Sequence, residues 1–151
     1  MKKVKVFAPA SIANVSCGFD VLGFAINDLG DELEAELTDS GRLVIESIEG
    51  GDGIPLEADK NVATIAAQAL LDDQNSKQGM TFRLKKGVLA GSGLGSSASS
   101  AAVGAFAANE LLGRPYSKEA LVYYAGLGEK VASNQLHHDN VAPSILGGFV
   151  V

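Results

Sequence analysis

Gly91, Ser92, Gly93, Leu94, Gly95, Ser96, Ser97 and Ala98 make up the segment that most narrows what this chain can fold into. Three glycines in five positions let a backbone take positive φ values and approach a ligand with no Cβ in the way. Before them, Met80, Phe82 and Leu84 alternate with Thr81, Arg83 and Lys85, the period of a strand. After them, small residues from about Ser96 to Leu112 read as a helix that stops at Gly113, with Pro115 just beyond. A strand, a glycine loop and a helix N-terminus in succession bring unpaired N–H groups and the positive end of a helix dipole to the loop. Such a loop suits an anion, best a nucleotide phosphate, with serine hydroxyls in reach of a metal ion or phosphate oxygens. A glycine-rich connector without chemistry is the other reading of the same residues.

Spacing excludes several other loops. A Walker loop ends in Gly-Lys-Ser/Thr, and here Gly95 is followed by Ser96 and Ser97. The dinucleotide fingerprint needs glycine or alanine where Ser96 stands, and an acidic residue about 20 positions further on. Neither a Gly-x-Ser-x-Gly elbow nor a Ser-x-x-Lys pair is present.

Around that segment the pattern predicts an α+β domain, a mostly antiparallel sheet with helices on one face. Val4, Val6 and Ala8 alternate as a first strand ending at Pro9, and Val21 to Ile26 reads as a second. Leu33, Ala35 and Leu37 alternate with Glu32, Glu34 and Glu36. A turn at Asp39 to Gly41 then leads to Leu43, Ile45 and Ile48, which predicts a hairpin with one wet face. Val62, Ile65, Ala66, Ala69 and Leu70 recur at helical spacing, with Asp59 or Asn61 as cap. Ser117 and Glu119 open a further helix toward Val131, and Ile145 to Val151 reads as an apolar strand. A strand that stops at Val151 fits the front part of a longer protein. An apolar edge near Val150 would favour self-association as a homodimer.

At 151 residues, 46% hydrophobic and 20% charged, the chain has the size and composition of one globular domain. No stretch approaches the roughly 20 apolar residues of a membrane span. The single cysteine, Cys17, makes no internal disulfide, so a cytoplasmic setting is the default. Eleven of the eighteen acids lie in residues 28–59 against the one base Arg42, a net −10 there, which leaves +4 for the remainder. An overall charge of −6 and a chain without tryptophan argue against nucleic-acid binding, which rests on cations and stacking platforms. The acidic block reads as a solvated face.

Two other segments carry chemistry. In Pro9 to Asp20, Asn14 and Asp20 are polar residues in a loop between strands, suited either to holding a small polar substrate or to capping a turn. Asp20 would pair with an amine. In the second, Glu129 precedes His137, His138, Asp139, Asn140, Val141, Ala142 and Pro143. Adjacent histidines with one thiol in the whole chain do not have structural-zinc spacing.

Gly91 to Ala98 resembles the glycine-serine motif of the GHMP kinases, a family named for galactokinase, homoserine kinase, mevalonate kinase and phosphomevalonate kinase. Pro9 to Asp20 resembles their N-terminal motif. His137 and Asp139 to Ser144, with Leu146, Gly147, Gly148 and Phe149, is similar to a stretch of the homoserine-phosphorylating branch. The three motifs stand in the family's order and cover essentially the whole chain. Two departures are Leu89, where the family usually has proline, and Val15, Ser16 and Cys17, which replace a glycine- and proline-containing turn.

The resemblance implies the ribosomal protein S5 domain 2-like fold and makes residues 1–151 the N-terminal ATP-binding domain, with the C-terminal domain absent from this chain. It implies transfer of the γ-phosphoryl group of ATP to the side-chain hydroxyl of L-homoserine, a step of threonine biosynthesis. Another small-molecule acceptor, or a nucleotide-binding module without catalysis, are the alternatives. Carried over by position, Gly91, Ser92, Gly93, Leu94, Gly95, Ser96 and Ser97 would wrap the ATP phosphates, and Ser97 with Glu129 would hold Mg²⁺. Asn14, Asp20, His137 and Asn140 would line the substrate pocket, with Asp20 on the substrate ammonium and the one carboxylate nominated as catalytic base; transfer of the hydroxyl proton to the phosphoryl group itself needs no base. A solvated helix acid and a buried imidazole remain the plain readings of Glu129 and His137. The C-terminal part of the family supplies a further glycine-rich loop and, in the homoserine-phosphorylating branch, arginines that engage the substrate carboxylate, so this chain alone is expected to be inactive.

Overall fold

The computed structural model describes residues 2–15, 18, 21–133 and 138–151. The alternation at the start of the chain becomes strand β1 (Lys3–Ala13), which runs through Pro9 instead of ending there. β1 is the outermost strand of the main sheet path, where a missing N–H is tolerated. The pairing also shifts at this point. Pro9 lies opposite Gly30 and Ser11 opposite Ala25, so one residue of β1 faces four of its neighbour. That neighbour, β2 (Gly23–Thr38), is a single strand of 16 residues where the alternation predicts two. Asp28 takes φ 61° inside the bulged stretch, which carries the chain on without a break in the strand.

The expected hairpin does not form. β3 (Leu43–Glu49) is separated from β2 by β4 (Gly79–Lys85), in the order β1-β2-β4-β3. β4 pairs antiparallel with β2 and parallel with β3, Met80 lying between Leu37 and Leu43. A parallel pair needs a crossover, supplied by α1 (Val62–Asp73). Asn61 caps it, Oδ1 accepting from the Ala63 N–H at 3.0 Å. Local alternation cannot distinguish a hairpin from this inserted-strand arrangement, because both bury the same side chains.

α2 (Ser96–Leu111) follows the glycine loop and lies between the sheet and the other helices, packing on β1, β2, α1, α3 (Lys118–Ser133) and α4 (His138–Leu146). Twelve of its sixteen residues are buried, which explains why the sequence shows small residues there instead of an apolar stripe. At Gly104 a Cβ would stand 2.0 Å from the Ala63 carbonyl oxygen, so only glycine lets α2 cross the start of α1. Phe82, Met80, Leu33, Leu70, Leu71 and Leu111 fill the layer between sheet and helices.

The chain end also differs from the alternation-based reading. Ile145 and Leu146 belong to α4, and the final strand, β5 (Phe149–Val150), is two residues long and pairs with Gly23 and Phe24. Pro143 inside α4 removes the N–H that would bond Asp139, and that carbonyl oxygen packs against Gly23, whose Cβ would come within 1.9 Å of it. The proline concealed this helix in the sequence. The outer face of the sheet carries three acids of the acidic block in ion pairs, Lys5 to Glu32 at 2.6 Å, Lys3 to Glu34 at 3.7 Å and Arg83 to Glu46 at 2.6 Å, whereas Asp31 of the same block departs from the expected solvated face and is buried. No helix among the described residues is long and apolar enough to cross a membrane.

Candidate active site

The glycine loop emerges from β4 and closes on itself before entering α2. The Ser96 hydroxyl donates to the Val88 carbonyl at 2.8 Å, which ties the neck, and the Ser92 N–H donates to the Leu89 carbonyl at 3.2 Å. Gly91, Gly93 and Gly95 hold φ of 77°, 75° and 63°, values that favour glycine. Gly95 occupies the N-cap position of α2, so no side chain covers the first-turn N–H groups of that helix. These donors face a cavity of about 560 Å³ whose walls include Gly91, Gly93, Gly95, Ser96 and Ser97.

Opposite the loop, α3 contributes Glu129, buried to 7% exposure. The Ser97 hydroxyl donates to Glu129 Oε1 at 2.8 Å, joining residues far apart in sequence on the cavity wall. A hydroxyl and a carboxylate beside a helix N-terminus form a hard oxygen donor set, the kind Mg²⁺ takes when phosphates complete its shell. Among the described residues no three His, Cys, Asp or Glu side chains gather into a metal cluster of their own.

α4 contributes Asn140 to the same cavity. Ser11, fully buried in β1, links it to the loop: its N–H donates to the Leu94 carbonyl at 3.1 Å and its hydroxyl donates to Asn140 Oδ1 at 3.0 Å. With Oδ1 so engaged, the amide nitrogen of Asn140 is the group left to donate. Asn14, at φ 60°, lines the cavity from the end of β1. The structure therefore gathers Asn14, Asn140, Ser97, Glu129 and the glycine loop around one space. Asp20 and His137 lie outside the described residues.

Sequence reasoning passed over Asp31, Lys86 and Ser100 in this region and read Asn61 only as a candidate helix cap. Asn61 lines the cavity while capping α1, and its Nδ2 donates to the Pro55 carbonyl at 3.0 Å. Lys86 and Ser100 also reach the cavity wall, and both bond Asp31, which is fully buried. Burial holds the Lys86 ammonium below the ordinary lysine range, an effect the Asp31 carboxylate opposes. The signal was present. Asp31 shares the inward phase of Leu33, Ala35 and Leu37, and Lys86 that of Met80, Phe82 and Leu84, and a charge on the buried side of a strand needs a partner.

Residues 61–148 match the family model described as the N-terminal domain of GHMP kinases. The chain is 44% identical over 151 residues to a protein named homoserine kinase from Methanococcus maripaludis, covering all of this chain and 50% of that one. The homoserine kinase of Chlorobaculum tepidum is 44% identical over 162 aligned residues, again with all of this chain and 50% of the relative covered. The chain thus spans about half the length of the curated relatives it matches. A crystal structure of homoserine kinase from Cytophaga hutchinsonii superposes with a TM-score of 0.94 at 46% identity, over 99% of this chain and 48% of that one. Methanococcus jannaschii mevalonate kinase shares the fold, with a TM-score of 0.76 at 14% identity. With its N-terminal-domain match, its glycine loop at the head of a buried helix and relatives aligned along its whole length, this chain belongs to the GHMP kinase family.

Proposed function

We propose that this chain is the ATP-binding part of an enzyme that transfers the γ-phosphoryl group of ATP to the side-chain hydroxyl of L-homoserine, giving O-phospho-L-homoserine. The observation that carries the reading is the Ser97–Glu129 pair set beside an uncapped helix N-terminus and a loop of three positive-φ glycines. Similarity to proteins named homoserine kinase supports the choice of acceptor.

In this reading the N–H groups of Gly91 to Ser97 hold the phosphates of ATP, since backbone donors and a helix dipole stabilise negative charge that a side-chain cap would otherwise block. Ser97 and Glu129 hold Mg²⁺, which when bound neutralises charge on the phosphates. Asn140, its amide orientation fixed by Ser11, donates to the acceptor substrate, and Asn14 lines the same pocket. The family resemblance also assigns Asp20 and His137 to the acceptor, Asp20 pairing with the substrate ammonium and serving as base. The chemistry asks mainly for positioning and charge compensation. Residues 1–151 act as the nucleotide-binding domain of a cytoplasmic homodimer and depend on further protein for the substrate carboxylate, so the 151-residue chain alone turns over no homoserine.

A coupled ADP-release assay on the complete gene product, with Mg·ATP and L-homoserine, mevalonate, galactose or shikimate, tests this. Turnover with homoserine alone is the expected result. Turnover with another acceptor discards the substrate assignment, and Mg²⁺-dependent turnover with none of them discards the enzyme.

A further inference from the structure

The glycine loop is soft by composition, yet both of its ends are fastened to one buried carboxylate. Asp31 Oδ1 accepts from the N–H groups of Gly87 and Val88, the second and third residues beyond β4, at 3.0 and 3.2 Å. Its Oδ2 accepts from Lys86 Nζ at 2.5 Å and from the Ser100 hydroxyl at 2.6 Å. Lys86 Nζ in turn donates to the Ser96 carbonyl at 2.9 Å and to Ser100 Oγ at 2.8 Å. The outgoing end of β4 and the first two turns of α2 are thereby fixed to the same point in β2. Asp31 is itself held through its N–H, which donates to Ser99 Oγ at 3.1 Å.

Two features separate this arrangement from an ordinary core contact. A buried ion pair gives little net stability compared with apolar side chains of the same volume, so stability alone is a poor reason for one here. Its ammonium also has three N–H donors, and Asp31, Ser96 and Ser100 accept all three. Lys86 reaches the cavity wall but has no donor left for a ligand, so it acts through the loop and not by touching phosphate. Residues 89–93, between the fixed ends, are exposed and include two of the positive-φ glycines.

We infer that Asp31 and Lys86 are positioning residues that set the height and tilt of the glycine loop over the N-terminus of α2, and so determine nucleotide affinity from behind the site. This assignment rests on the reading of the cavity as a nucleotide site. It adds two residues that touch neither nucleotide nor acceptor.

The test compares the unaltered chain with Lys86→Met, Asp31→Asn, the double variant and the milder Ser100→Ala. Three quantities are read: Tm, Mg·ADP affinity by calorimetry, and hydrogen exchange of the residue 89–97 amides without nucleotide. The double variant leaves no unpaired charge, so its Tm should stay near that of the unaltered chain. Its Mg·ADP affinity should nevertheless fall at least tenfold and its loop amides exchange faster. A double variant that binds Mg·ADP within twofold of the unaltered chain, with unchanged loop exchange, overturns the inference. Should the double variant not fold, Ser100→Ala decides: weaker affinity with faster loop exchange supports the inference, and no change in either overturns it. Absence of Mg·ADP binding by the unaltered chain overturns the nucleotide reading instead, and loop exchange then still decides whether Asp31 and Lys86 position the loop.

Discussion

Replacing Gly95 by alanine puts a methyl group where the structure has no room and a side chain where the backbone disfavours one. At φ 63° and ψ 38° the residue is left-handed, which costs a non-glycine residue about 1 kcal/mol. The new Cβ would stand 2.2 Å from Ser11 Oγ and 3.0 Å from Asn140 Oδ1, so the Ser11 hydroxyl has to leave its bond to Asn140. Losing that bond costs about 1 kcal/mol and relieving the overlap about 1–3 more. The stiffer unfolded chain returns about 0.5 kcal/mol, which leaves a net loss of about 3 kcal/mol. Gly91→Ala is the internal control, because φ there is 77° but no atom lies within 4 Å of the added carbon. Only the backbone cost remains, so its net loss is about 0.5–1 kcal/mol. For a domain of this size the two variants should melt about 6–12 °C and about 1–4 °C below the unaltered chain by differential scanning calorimetry. Equal losses at the two positions would refute the claim that Ser11 and Asn140 enclose the loop at Gly95.

Asn61→Ala removes the cap of α1 and the bond to Pro55, each worth about 1 kcal/mol, and should lower Tm by about 4–8 °C; a change under about 1 °C would show the cap to be dispensable. The hydrogen bond and charge of Lys5 hold the Glu32 carboxyl below its ordinary value of 4.5. A depressed carboxylate stabilises the fold above its unfolded value and loses that contribution as pH falls through the folded one, so Lys5→Gln should move the Glu32 midpoint upward in an NMR titration and flatten the acid limb of the stability profile. An unmoved midpoint would remove Lys5 as the cause. Phe82, with no exposed surface between sheet and helices, should cost about 3–5 kcal/mol as Phe82→Ala in urea unfolding, and a loss under about 1 kcal/mol would move the core elsewhere.

Elements set by local pattern were legible in the sequence, among them α1 with Asn61 as one of two candidate caps, β4, and α2 from Ser96 to the turn at Gly113. The glycine loop was legible for the same reason, since its backbone demands are written in three residues. What pairs with what was not. Leu33 to Leu37 and Leu43 to Ile48 alternate as a hairpin would, and only the insertion of β4 between them, a long-range choice, shows otherwise. α4 stayed concealed because Pro143 sits in mid-helix and the apolar residues that follow read as a strand. At the site, Ser97 and Glu129 were named through family resemblance, while the Asp31, Lys86 and Ser100 network was missed although the inward phase of two strands exposed it. Asp31 lies among acids such as Glu32 and Glu34 that face solvent, and these neighbours mask its inward phase.

In the proposed function, Gly91 to Ser97 and Glu129 hold a Mg²⁺-bound nucleotide. An amide NMR titration of this chain with a non-hydrolysable ATP analogue, with and without Mg²⁺ and repeated on Glu129→Gln, addresses it directly. The expected result is shifts concentrated on residues 91–97, affinity raised at least tenfold by Mg²⁺, and loss of that Mg²⁺ effect in Glu129→Gln with the fold intact. Shifts that bypass the loop, or a Mg²⁺ effect that survives in Glu129→Gln, would contradict it.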